Sequence, residues 1–418
     1  MPPTMRAVDI RNGTGPATSL FINSDTPMPS AGPGEALVKI KAFGLNRMDL
    51  LQREGRYPVP PQAPKTLGVE FSGVVQGIGE EGGDENGERG EEEEGFKVGD
   101  EVFGLAYGGA YAEYIAVSTQ MLLHKPPELS WEEAAGIPET WITATQALYL
   151  IGSFTPGKTV LWHAGASAVS IAGIQLSKAD HAGAIYVTAG SDEKIKFCVE
   201  ELGATAGVLL SLLFTLPLPQ IPTPPMTINP PPRPSPLPFS PLTPPPPPTG
   251  FNYNTQNWST EILTATNGKG IDIIIDFIGA AYFEPNLHTA APDATIVHLG
   301  ALSGFNLPAG TSLAPFIAKR LRFEGSSLRS RPLAYQARLR DHLWKHTLPR
   351  IRGGGGGGEE GGKGREEGGK EGGKEGGKGR EGGYRVLVER VFDWGDVVEA
   401  HELLESNRTR GKVVCRVG

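Results

Sequence analysis

The stretch LWHAGASAVSIAGIQLSK, residues 161–178, decides how this chain reads. A short apolar run enters a turn and leaves it as a helix of small residues, the arrangement in which helix N-terminal amides face a diphosphate. Against the G-x-G-x-x-G template, Gly165 takes the first place while Ser167 and Ser170 hold the second and third. One glycine alone is a weak signal, and a small-residue turn arises by chance more often than a cofactor site does. The setting strengthens it: the turn lies between a buried strand and residues small enough for close helix packing.

Outward from the turn, strand and helix alternate. TVLWHAG (159–165), AIYVTAG (184–190), IDIIIDFIG (271–279) and ATIVHLG (294–300) are strand-length apolar runs, separated by helical patterns at 168–179, 192–203 and near 258–266. Such alternation gives parallel strands with right-handed crossovers, so the predicted class is α/β with a doubly wound sheet. Upstream, MRAVDI, EALVKIKAFGL, GVEFSGVVQGIG, GDEVFGL and AYAEYIAV are short alternating runs punctuated by Gly and Pro, which predict a β barrel or sandwich. A helix over 130–150 follows, with Ser130 as its N-cap. The last part adds a helix near 332–346, a strand over 384–392, a helix over 396–405 and the strand GKVVCRV. These last strands most simply rejoin the first domain.

Three stretches carry no core pattern. They are the Gly/Glu segment 82–95, the segment 208–249 with 17 of the chain's 37 prolines, and the Gly/Glu/Lys/Arg repeat 353–383. Without them the chain has an ordinary two-domain length. All three read as surface insertions. For 208–249 the pyrimidine-rich codons of Leu, Pro, Ser and Phe favour a translated intron, and a PxxP ligand is the weakest reading.

A net charge of −8 with no basic stripe argues against nucleic acid as the main partner. Two cysteines without a CxxC pair argue against a disulfide framework and a structural zinc cluster, and fit a reducing compartment. MPPTMRAVDIRNGTG lacks a signal-peptide core, and no long apolar run is free of charge and proline, so the expectation is a cytoplasmic protein without a membrane partner.

The segments NRMDLLQREGRYP, GVEFSGVV, VGDEVFGL, GGAYAEYIAV, IPETWITATQAL, HAGAS, TAGSDEK, FNY, GSSLRSR and ESN…GKVV resemble, in that order, the zinc-independent quinone oxidoreductase (zeta-crystallin-like) branch of the medium-chain dehydrogenase/reductase superfamily. The resemblance implies a GroES-like catalytic domain begun by residues 1–130 and a Rossmann NADPH-binding domain over 131–318. Residues 319–418 would return to the catalytic domain. The family turn commonly reads A-G-A-S-G-V-G, so Ala168 puts a methyl group where family backbone atoms meet phosphate.

Cofactor choice is read at the end of the second strand. A carboxylate there binds a ribose 2′-hydroxyl, whereas a 2′-phosphate needs room and a cation. The strand ends in Ala189, Gly190 and Ser191, with Lys194 one helical turn on, which predicts NADPH. Lys194 as a solvated helix residue is the bland alternative; Asp192 and Glu193 are expected to face water. The resemblance further implies that Arg47, Thr143, Gly165, Ala166, Ser167, Ala168, Val169, Tyr253, Leu299, Gly300, Ala301, Ser327, Leu328, Arg329 and Asn407 line the cofactor.

Zinc-dependent relatives place a Cys near GLNRMD and a His in a G-H-E turn; this chain has Asn46 and Val69 there, so no metal site is expected. His124, His163 and His298 read as structural or surface residues. The resemblance implies that Asn46, Asp49 and Tyr57 stand beside the nicotinamide and substrate, with Tyr57 hydrogen-bonding a carbonyl oxygen as charge develops. A loop aromatic is the bland reading of Tyr57. The leading expectation is an NADPH-dependent, zinc-free reductase of quinones, working as a homodimer. Reduction of an enone or other activated alkene is the near alternative, and a non-catalytic cofactor-binding protein the distant one.

Overall fold

The computed structural model describes residues 3–79, 95–205, 250–351 and 383–418. Of the three insertions expected from composition, all but Gly95 and Gly383 lie outside the described residues.

The catalytic domain is built from strands β1 (Thr4–Ile10), β2 (Leu20–Pro27), β3 (Glu35–Gly44), β4 (Glu70–Ile78), β5 (Glu101–Leu105), β6 (Tyr114–Ser118) and β7 (Leu122–His124). β1 and β2 form a separate antiparallel pair. In β3, alternate residues Ala36, Val38, Ile40 and Ala42 are buried, the period of a strand with one face on the core. The cofactor domain holds β8 (Thr159–Trp162), β9 (Ala184–Ala189), β10 (Gly250–Asn252), β11 (Ile271–Asp276), β12 (Ala290–His298) and β13 (Arg322–Gly325). Their order is β10-β9-β8-β11-β12-β13, every neighbouring pair parallel, as the alternation of strand and helix requires.

The chain then returns. β14 (Val388–Asp393) and β15 (Lys412–Arg416) pair with each other in parallel, and β15 lies antiparallel to the end of β3, extending the catalytic sheet to β14-β15-β3-β4-β5-β7. The GroES-like and Rossmann-type domains expected from the sequence are thus both present, and the last strands rejoin the first domain.

Two expected elements differ in detail. The helix expected over 130–150 is divided. Ser130 caps Trp131–Ala135 through a reciprocal pair with Glu133, the helix stops at Gly136, and Pro138–Thr145 restarts it before a wider turn over Gln146–Ile151. The strand expected from 384 begins at Val388, because the Gln175 side chain captures Arg385 at both its N–H (2.8 Å) and its carbonyl (3.1 Å). These bonds hold residue 385 against the helix Ala168–Ala179 and away from the sheet.

That helix packs tightly on β8. A Cβ at Gly173 would be driven into the Trp162 ring, so the close helix–strand approach normally given to the third fingerprint glycine is supplied one turn later. One apolar cluster then runs from the catalytic sheet through Trp141, Ile142 and Leu148 to Trp162 and Ile273 of the cofactor sheet, so the domains share a core.

Candidate functional site

The turn is held from within. His163 is fully buried, with Nδ1 2.9 Å from Thr188 Oγ1 and Nε2 2.8 Å from Asn286 Oδ1, and burial lowers its pKa. It is a satisfied core histidine. Gly165 N donates to Thr188 O at 2.8 Å, and a Cβ there would come 2.9 Å from Val187 Cβ. The two serines that replace glycines have local duties. Ser167 is the N-cap, accepting from Ser170 N, while Ser170 Oγ donates to His163 O at 2.8 Å.

Ala168 and Val169 are the first helical residues, so their amides have no acceptor within the helix. The crevice beside Ala168, lined also by Gly136, Thr140, Trp141 and Lys412, is a cavity of about 10 Å³. Gly411, at φ +91°, donates its N–H to Ala166 O at 3.0 Å and ties the C-terminal segment onto the turn.

At the end of β9, Gly190 leaves room for Tyr253: a Cβ would stand 2.6 Å from the phenol oxygen. Ser191 caps the helix Asp192–Glu200. Lys194 Nζ donates to Asn407 O at 2.7 Å, and Arg47 donates to Asn407 Oδ1. Asn407 sits at φ +57°, a conformation its short amide tolerates. Among the described residues neither cation forms a close ion pair; burial lowers both pKa values, against the charges of Glu405 on Arg47 and Glu389 on Lys194. Asp192 and Glu193 are exposed, as expected; Asp192 also accepts from Asn252 Nδ2 at 2.7 Å, and Glu193 lies 3.4 Å from Arg410. Arg410 was missed in the sequence, although its place three residues after Asn407 is the available signal.

Two cations on a neutral amide, orphan amides at a helix start and a glycine cradle fit an anionic dinucleotide, whose diphosphate Gly165 to Val169 would hold. Bound there, such a cofactor supplies hydride.

The third group of residues gathers at the catalytic domain. Asn46 N-caps the helix Arg47–Arg53. Its side chain is fully engaged: Nδ2 donates to Glu70 Oε1 at 2.9 Å, and Oδ1 accepts from Lys412 Nζ at 2.6 Å, while Lys412 also pairs with Glu70. Asp49, expected beside the reacting groups, is sealed inside at 0% exposure. It accepts from Asn46 N, Gly68 N and Tyr111 Oη, and desolvation raises its pKa to about 6. Asp49 thereby ties the start of the helix that carries Asn46 and Arg47 to the backbone at Gly68.

From Asp49 a buried chain continues through Tyr111 to His401 (3.2 Å) and Arg53 (3.1 Å). Because Arg53 donates to His401 Nδ1, the imidazole proton sits on Nε2 and points at the Tyr111 oxygen. Burial, with the Arg53 charge second, holds His401 neutral at a pKa of about 3.

Tyr57 is half-buried, and the Arg329 guanidinium carbon lies 5.4 Å from its ring centroid. Desolvation and then the Glu139 charge raise its pKa; Arg329 and Ser327 act the other way. Arg329 is 2% exposed. It donates to Tyr107 O at 2.6 Å and Gln52 Oε1 at 2.7 Å, which leaves Nη2 without a hydrogen-bond partner. Leu328 is buried in the core beside it. Thr143 is buried with its hydroxyl on Glu139, and Leu299, Gly300 and Ala301 follow β12, with Leu299 N bonded to Asp276 O. Among the described residues no group of three or more His, Cys, Asp or Glu gathers to hold a metal ion. Val69 is buried and apolar, and at Asn46 the neighbouring charges are the Lys412 ammonium and the Glu70 carboxylate.

A GroES-like domain closed against a doubly wound parallel sheet, with a crevice built for an anionic dinucleotide, is the architecture of a nicotinamide-dependent oxidoreductase. Residues 32–127 match the family described as the alcohol dehydrogenase GroES-like domain, and residues 249–344 and 379–415 match two described as zinc-binding dehydrogenase. A solved structure described as an NAD-dependent alcohol dehydrogenase is similar over 99% of this chain and 100% of its own, at 26% identity and a TM-score of 0.68. A quinone oxidoreductase from Pseudomonas syringae pv. Tomato DC3000 shares the fold at 21% identity and a TM-score of 0.70, over 99% and 100% of the two chains. Among curated proteins, the synaptic vesicle membrane protein VAT-1 homolog of Danio rerio is 34% identical over 190 residues, 46% of this chain and 37% of that relative. The chain thus matches little more than a third of that relative's length. It belongs to the medium-chain dehydrogenase/reductase superfamily.

Proposed function

We propose that the protein is an NADPH-dependent reductase of quinones that transfers hydride without zinc. The observation that carries this reading is the buried Arg329 beside Tyr57: one donor of a fixed guanidinium is unsatisfied next to a neutral phenol, both suited to a substrate oxygen that gains negative charge. The raised pKa keeps the Tyr57 hydroxyl protonated through the neutral range, so it donates. The ammonium of Lys412 and the carboxylate of Glu70 hold Asn46 rigid behind it. A quinone takes hydride readily, so alignment and exclusion of water suffice.

NADPH is favoured by Arg47 and Lys194, which would hold its 2′-phosphate and which among the described residues form no close ion pair, and by the uncharged Ala189, Gly190 and Ser191 at the end of β9. Lys194→Ala is expected to weaken NADPH binding about tenfold, roughly 1.4 kcal/mol, and NADH binding far less. Fluorescence titration of both nucleotides checks this; equal losses would remove the 2′-phosphate role. The function is tested by NADPH oxidation with an ortho-quinone against an enone. Faster turnover of the enone would reassign the substrate.

β13 ends the parallel sheet with all four residues exposed, flanked by exposed Phe305, Leu313 and Ile317, which supports a homodimer joined at this edge. Sedimentation is expected to give twice the chain mass. Among the described residues no helix is long and apolar enough to cross a membrane, and two buried free thiols, Cys198 and Cys415, agree with a cytoplasmic setting.

A further inference from the structure

The ends of β11 and β12 hold a cavity that neither the cofactor crevice nor the Tyr57 side uses. Side chains along a strand alternate between its two faces. Ile274 and Ile296 pack with Phe283, whereas Ile275 and Val297 belong to the cluster that reaches the catalytic domain. Asp276 and His298 therefore fall on the face turned away from that domain. There, together with Phe283, Phe305, Leu307 and Phe323, they line a cavity of about 160 Å³.

The polar wall of this cavity is incompletely satisfied. Asp276 is 1% exposed, and its Oδ1 accepts from Ile278 N at 2.7 Å and Gly279 N at 3.2 Å, while Oδ2 has a long bond from Gly279 N at 3.4 Å. His298 Nδ1 lies 3.4 Å from that Oδ2, yet is buried with no hydrogen-bond partner among the described residues. The imidazole is held by stacking on Phe323, ring centroids 5.4 Å apart. An open acceptor beside an open ring N–H calls for a group that donates and accepts at once, which a hydroxyl does and a carbonyl or a methyl does not. The rest of the wall is aromatic and aliphatic, and an apolar cavity of about 150 Å³ takes a benzene ring.

We propose that this cavity binds a single-ring phenol, whose hydroxyl donates to Asp276 Oδ2 and accepts from His298 Nδ1 while its ring lies against Phe283, Leu307 and Phe323. The site does not depend on the quinone reading, because it opens on the face of the sheet opposite the domain that carries Tyr57. Phe305, at 80% exposure, stands at the rim and leaves the ligand a way in.

Calorimetric titration of the full chain with phenol and with toluene tests this, since the two share a ring and differ in the hydroxyl. Phenol is expected to bind with a Kd of about 1 mM or below, and toluene about tenfold more weakly, because toluene leaves both polar groups unpaired. His298→Leu should weaken phenol about tenfold and leave toluene as tight or tighter. Ala280, the first residue of the helix Ala280–Thr289, also lines the cavity, so Ala280→Leu fills it and should abolish binding of both. Should His298→Leu fail to fold, the preference of the wild type and the effect of A280L decide alone. Tyr57→Phe should leave phenol binding as it is. Phenol that binds no tighter than toluene, binding of neither, or an H298L variant that keeps full affinity for phenol overturns the inference. So does loss of phenol in Y57F with retention in A280L, which puts the ligand in the substrate cleft. Phenol affinity that falls as the chain concentration rises overturns it too, and makes a second copy of the chain the occupant of the rim.

Discussion

Tyr57→Phe is expected to lower kcat for quinone reduction by about 10²- to 10³-fold while leaving NADPH binding unchanged. The ring stays, so its packing under Arg329 stays, and only the hydroxyl is lost. That hydroxyl donates where the carbonyl oxygen becomes anionic, an interaction stronger in the transition state than in the ground state, so the loss falls on kcat. A fall in affinity for the quinone at constant kcat would instead make Tyr57 a ground-state contact. Steady-state kinetics over quinone concentration separate the two.

The second large effect concerns Lys412, which is 3% exposed and pairs with the fully buried Glu70. Lys412→Met is expected to destabilise the fold by about 3–5 kcal/mol, because it leaves a buried carboxylate without its counter-charge and next to a second acid. Urea unfolding measures it. The double variant K412M/E70Q should recover much of the loss, and a double variant no better than K412M would refute the pairing as the cause. Glu139→Gln should act in the opposite direction. Burial, then the Glu70 charge, raises the pKa of Glu139 on folding, so its contribution to stability is whole below its unfolded value and is lost as pH rises through about 8. E139Q removes that slope and gains on the wild type toward alkaline pH.

The sequence made the architecture legible through periodicity. Alternation with period two in residues 36–42, and strand-length runs separated by helical ones beyond residue 159, carry direct information about which face is buried. Ser130 was legible as a cap because its partner is three residues away. The residues at the ends of the parallel strands were legible too, since that is where a dinucleotide crevice forms.

What stayed hidden depends on partners distant in the chain. Asp49 looks like a reacting carboxylate until Gly68 and Tyr111 close over it. Glu139 gains its meaning from Glu70 and Lys412, which are 69 and 273 positions away. The serines at 167 and 170 count against the fingerprint as letters, yet they satisfy the backbone of the turn, while the tight packing moves to Gly173.

The late return of β15 to β3 has a consequence for the order in which this polypeptide can mature. A ribosome finishes the whole parallel sheet before it makes the residues that complete the antiparallel one. Until Lys412 to Arg416 emerge, the nascent first lobe keeps a bare edge at residues 42–44 and a Glu70 with no ammonium beside it. The lobe begun before the parallel sheet is thus sealed after it.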